Sequence, residues 1–130
     1  MQAAAPATRV MIADNNTLVG IGIQDDLESN GYAVAGPFAT CAEATAWLKA
    51  ETPGLAILAV HLRDGTCVDL ARELRGRNVP MIVYSGERKQ AVPELQDAEW
   101  LQKPASPETL LAAVAKALTA SERRPRPAFK

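Results

Sequence analysis

The sequence predicts an α/β domain built on a parallel sheet, and three observations carry that prediction. Residues 10–13, 55–60 and 80–84 are short, nearly continuous apolar runs, which fit strands covered on both faces. Stretches with helical spacing and helix-end signals lie between them. Strand and helix alternate five times along the chain, as in parallel sheets with right-handed crossovers.

The elements follow in order. After the first strand, a helix is expected over about 16–29, stopped by Asn30-Gly31, with Leu18, Ile21 and Leu27 as an imperfect apolar face. "YAVAGPF" at 32–38 is a weaker strand. A second helix opens at Thr40, with Glu43 placed to complete a capping box. After the strand at 55–60, a third helix over about 68–75 stops near Gly76. "ERKQAVPELQDA" is polar, and Pro93 removes an amide donor from its middle, so a short, mobile or broken helix is expected. "EWLQK" at 99–103 is a weaker fifth strand. The fifth helix opens on Ser106 as N-cap, Pro107 at the first helical position and Glu108 near the positive end of the dipole. Leu111, Val114 and Leu118 then recur at helical spacing.

Composition bounds the function. The chain has 130 residues, enough for one domain that buries a continuous core without disulfides or metals. Lys+Arg number 14 and Asp+Glu 15, so no global charge draws it to nucleic acid or membrane. Cys41 and Cys67 show no metal-ligand spacing and read as small buried thiols in a reducing cytoplasm. Neither a signal peptide nor an apolar run long enough to span a bilayer is visible. The expected organisation is a disordered segment over 1–8, one domain over 9–121 and a basic, proline-bearing, flexible tail over 122–130. So few charges in the tail give only weak, salt-sensitive nucleic-acid binding.

In parallel sheets function gathers at the C-terminal ends of the strands. Those ends carry Asp14 and Asn15, Ala59, Ser85, and Lys103 followed by Pro104. With "LAILAVHLRDG", "VPMIVYSG" and "AEWLQKPASPETLLAAV", they resemble the receiver domain of two-component response regulators, from Arg9 to Leu118. The resemblance implies a flavodoxin-like, doubly wound, five-stranded (βα)5 domain. It implies phosphoryl transfer from a histidine kinase to an aspartate ending the third strand, assisted by magnesium.

Carried over position by position, the resemblance is incomplete. Asp14 matches the first acidic position of the metal pocket, and Asn15 stands where the second carboxylate is usual. Ala59 stands at the phosphoacceptor position. Ser85 and Lys103 match the hydroxyl and the lysine that contact the phosphoryl oxygens. Trp100 falls where a switching Tyr or Phe is usual, and His61 and Arg63 replace a commoner Asn and Pro. An acyl phosphate needs a carboxylate nucleophile, and magnesium prefers hard, charged oxygen ligands. No phosphorylation at position 59 is therefore expected, and magnesium binding is expected to be weak or absent, with Asp14 a vestige.

Plainer readings stand beside these. Ser85 has two equal readings, a local backbone hydrogen bond and a pocket role. Lys103 needs an anionic partner, and Asp14 is the obvious one. His61 reads as an exposed spectator, Asp64 as a turn former, and Asp69 and Asp25-Asp26 as solvated helix charges. Trp100 fills space or forms an interface.

The first reading is thus a stand-alone, degenerate receiver, not an enzyme, working in the cytoplasm through phosphorylation-independent contacts with a histidine kinase or other signalling protein. With no output domain after the fifth helix, output is expected through the face of the fourth helix, fifth strand and fifth helix, which would also serve a homodimer. The alternative is a conventional receiver, phosphorylated by a histidine kinase, in which an aspartate at position 59 was replaced by Ala59. A small nucleotide-binding enzyme fares poorly, because "DNNTLVG" after the first strand is no glycine-rich phosphate loop.

Overall fold

The computed structural model describes residues 8–123, with side chains described through residue 120. The segment 1–7 and the tail beyond 123 lie outside the described residues. The first half alternates β1 (Arg9–Ala13), α1 (Thr17–Glu28), β2 (Ala33–Phe38), α2 (Cys41–Leu48) and β3 (Leu55–Leu58). A hairpin of β4 (His61–Leu62) and β5 (Gly65–Thr66) follows, then α3 (Val68–Gly76), β6 (Met81–Ser85), β7 (Glu99–Gln102) and α4 (Pro107–Arg123). The main sheet is five-stranded and parallel, in the order β2-β1-β3-β6-β7. That is a doubly wound, flavodoxin-like domain.

Alternation along the strands sorts the core into two layers. Met11, Ala13, Ala56, Leu58 and Val83 face α2 and α3, where they meet Leu48, Leu70 and Leu74. Val10, Ile12, Leu55, Ile57, Ile82 and Tyr84 face α1 and α4, where they meet Ile23, Leu27, Leu110 and Val114. The central strands read as unbroken apolar runs because both their faces are covered.

Local chemistry sets the helix ends. Asn16 caps α1, its side chain accepting from the Val19 amide at 3.2 Å. Thr40 and Glu43 form the expected capping box on α2. The Thr109 amide donates to Ser106 Oγ at 3.1 Å on α4. At the end of α1 the Tyr32 amide bonds to Leu27 O and the Gly31 amide to Glu28 O, with Gly31 at φ 91°. This is a Schellman stop.

One expectation is corrected. The buried stripe of α1 is Gly20, Ile23 and Leu27, while Leu18 is 82% exposed and Ile21 42%. On α4 Val114 is buried and Leu111 and Leu118 pack against the core, as their spacing implies, with Leu110 buried beside them. α3 stops at Gly76 as expected, and Asn78 at φ 63° takes the left-handed position after it. The Val79 amide then bonds to Leu74 O and the Asn78 amide to Arg75 O, the same Schellman pattern with asparagine in glycine's place. The fourth helix is broken, as polarity and Pro93 lead one to expect. Between β6 and β7 stand two short 3-10 turns, Lys89–Ala91 and Pro93–Leu95, so the (βα)5 count is met with four α-helices. Pro93 starts the second turn, where its missing amide costs nothing.

Candidate functional site at the strand ends

The site begins with a break in sheet register. β1 and β2 pair regularly from Arg9–Ala33 to Met11–Ala35, then shift so that Ala13 lies opposite Phe38. The extra residue is taken up at Gly36 and Pro37, with Gly36 at φ 102°. The shift lets the Asp14 amide donate to Phe38 O at 2.9 Å, fixing Asp14 one residue past the strand.

Asp14 is 2% exposed and both of its carboxylate oxygens are engaged. Oδ2 accepts from Lys103 Nζ at 2.9 Å and Oδ1 from the Asn16 amide at 2.9 Å. The ion pair expected from the sequence is therefore present. Lys103 extends β7, its backbone amide donating to Ser85 O at 2.9 Å. Its ammonium lies 5.5 Å from the centre of the Tyr84 ring, within cation–π range. The Tyr84 hydroxyl accepts from the Ala105 amide at 3.0 Å, anchoring the turn after Lys103.

Ala59 follows β3, between Asp14 on one neighbouring strand and Ser85 on the other. It is 4% exposed, and its amide donates to Ala13 O at 2.8 Å. Its methyl group offers no acceptor. Buried Ser85 uses its Oγ to accept from the Glu87 amide at 3.1 Å, the local backbone role. Asn15 and Arg63 are exposed.

Two contacts escaped sequence reading. His61 is exposed but is no spectator: its Nε2 lies 2.8 Å from Glu87 Oε2, joining the hairpin after β3 to the loop after β6. Asp64 is more than a turn former. Its carboxylate accepts from the Cys41 amide at 2.7 Å and the Ala42 amide at 3.0 Å, closing the first turn of α2 from outside. Neither pairing has a signal in the spacing, since the partners lie 26 and 22–23 residues apart. Asp69 pairs with Arg72 on the α3 surface, and Asp25 is exposed on α1.

The two amides donated to Asp64 hold its carboxyl below the usual aspartate range. A group lowered in the folded state stabilises above its unfolded value, near 4, and loses that contribution as pH falls through the folded value. Asp64→Asn should therefore be less stable than the parent at neutral pH. The gap should close on acidification below about pH 4, measured as urea midpoints across a pH series. A gap that stays constant would count against the carboxylate's role.

Trp100 is partly buried against the α2–α3 layer, and its indole nitrogen donates to Leu95 O at 2.9 Å. It braces the 3-10 segment from beneath. The two cysteines are unpaired thiols; Cys67 is wholly buried, and burial pushes its thiol up to about 12, which makes it inert at neutral pH. Among the described residues no cluster of three or more His, Cys, Asp or Glu side chains could hold a metal ion.

The sequence profile described as the response regulator receiver domain matches residues 10–115. The chain belongs to that family. Solved receivers share its shape. A CheY-like receiver domain protein from Methanospirillum hungatei JF-1 is 26% identical, with TM-score 0.81, over 90% of this chain and 98% of that one. The response regulator PhyR from Brucella abortus is 28% identical, with TM-score 0.78, over 89% of this chain and 49% of its own length. The receiver domain of PhyR from Erythrobacter litoralis, at 24% identity and TM-score 0.79 over 95% of this chain and 97% of that one, shows the shared fold. No match is found among curated proteins. As a receiver domain, the chain is a module of two-component signalling, a class whose members interact with histidine kinases or other signalling proteins. No described helix is long and apolar enough to cross a membrane.

Proposed function

We propose that this receiver signals through protein–protein contacts and is not phosphorylated at position 59. The carrying observation is the pairing of Lys103 with Asp14 beside a buried alanine. In this family's chemistry the lysine answers to an anion at the end of the third strand. Here that anion is supplied from the first strand, and Ala59 offers no nucleophile.

The residues present do not fit a magnesium ion. Asp14 is the one carboxylate among the family's metal positions, and both its oxygens are already hydrogen bonded. Asn15 supplies a neutral oxygen and Ala59 none, whereas magnesium needs near-octahedral hard ligands. No step of the function is therefore routed through a metal.

The contact surface in this reading is the β7–α4 face with the 3-10 segment beside it, and Trp100 is its anchor. Because Trp100 is only partly buried, part of the indole stays available while the rest is held by Leu95. Aromatic residues held rigidly in this way are common binding hot spots. The same face would serve a homodimer.

Incubation with acetyl phosphate and magnesium, followed by intact-mass measurement, tests the reading. The expected result is no hydroxylamine-labile phosphate on the parent chain. Ala59→Asp alone should recover little labelling, because Asn15 still weakens the metal site. Full labelling of that single variant would favour a conventional receiver whose acceptor had been replaced.

A further inference from the structure

The end of the domain opposite Asp14 carries a cleft of about 170 Å³. It lies at the beginnings of β6 and β7, between the end of α3 and the last described turns of α4. Val79, Met81 and Ala98 form an apolar floor, and Ala117 and Ala120 form one wall. Asp97 and Glu99 stand on the rim, with Glu94 three residues before Asp97. Among the described residues one cation, Arg75, faces them, and its guanidinium is held by Asp97 in two bonds of 2.8 Å and by Glu94 O at 3.2 Å. Among the described residues the lining thus carries two carboxylates, Asp97 and Glu99, against one arginine.

We propose that the chain's own C-terminal segment, residues 124–130, docks in this cleft. Three observations favour it over other occupants. The segment reads Arg-Pro-Arg-Pro-Ala-Phe-Lys, so it is basic where the rim is acidic and has one aromatic where the floor is apolar. It leaves the helix within a turn of Ala120, which lines the cleft. At roughly 3.3 Å per residue, six residues reach about 20 Å, ample for Phe129 to return over the last turn.

In the docked form Phe129 fills the apolar floor, and Arg124, Arg126 and Lys130 face the carboxylate rim of Asp97 and Glu99. Prolines 125 and 127 lower the cost of ordering the segment, because fewer backbone states are lost on docking. An intramolecular site also sees its ligand at a high effective concentration, so modest contacts suffice. Such docking is independent of phosphorylation at position 59.

The test uses the full chain with labelled methyl groups. Cross-relaxation is expected between the Phe129 ring and the methyls of Val79, Met81 or Ala117, unchanged on dilution. Phe129→Ala should shift those methyl resonances, while Glu99→Lys and Arg126→Glu should each weaken the cross-peaks. Absence of the cross-peaks in the parent chain overturns the proposal. So does their loss on dilution, which would mark a second copy as the donor, or their indifference to both charge reversals.

Discussion

Asp14→Ala is expected to destabilise the domain by about 3 kcal/mol, the cost of leaving one partner of a buried ion pair alone. The ammonium of Lys103 would lose its counter-ion in a position only 25% exposed. The Asn16 amide would lose its acceptor as well. In a domain of this size such a loss lowers the thermal midpoint by about 10 °C or more. Lys103→Met should cost as much, since it strands a carboxylate that is 2% exposed. The double variant should be much less damaged than the sum of the two, because no buried charge then stands alone. Urea unfolding of the four proteins measures the coupling. A loss under about 1 kcal/mol for Asp14→Ala would place the pair among ordinary surface bridges.

Gly36→Ala is expected to be comparably severe, at roughly 3–5 kcal/mol, combining overpacking with a conformation that alanine resists. A Cβ on Gly36 would lie 2.6 Å from Ile12 O and 2.8 Å from the Phe38 amide nitrogen. Both are backbone atoms of paired strands and cannot swing aside. The residue also sits at φ 102°. The damage should reach the site, because the register shift at Gly36 and Pro37 positions Phe38 O for the Asp14 amide. Loss of stability together with a shifted Asp14 amide resonance is the expected pair of readings. A variant as stable as the parent would mean that the strands yield at this point.

The sequence made the doubly wound sheet legible because its central strands are buried on both faces and so read as unbroken apolar runs. Thr40 with Glu43, and Ser106 with Pro107, announced two helix starts through chemistry that acts within four residues. The Lys103–Asp14 pair was legible for a different reason: a cation at one strand end needs an anion at another. What stayed hidden depends on the third dimension. Leu18 and Ile21 have the right type for a core face, but α1 turns Gly20 and Ile23 inward, against Pro37 and the sheet. The hairpin that carries His61 to Glu87, and the carboxylate of Asp64 on α2, join segments whose approach no local pattern encodes. Polarity and Pro93 signalled that the fourth helix would fail. They did not signal that Trp100 would hold its replacement in place.

That replacement divides the domain's resistance to opening unevenly. In an α-helix each turn shares its strain with the next through i→i−4 bonds, and the unit melts together. The backbone bonds inside the segment between β6 and β7 are i→i+3 links, such as Val92 to Lys89, Leu95 to Val92 and Ala98 to Leu95. Leu95 is the fully buried side chain at the centre of this stretch, and the Trp100 indole holds its carbonyl. We expect the segment's amides to exchange with solvent faster than those of the sheet, which native-state hydrogen exchange would measure. Such a stretch can change shape against a partner without drawing on the stability of the sheet.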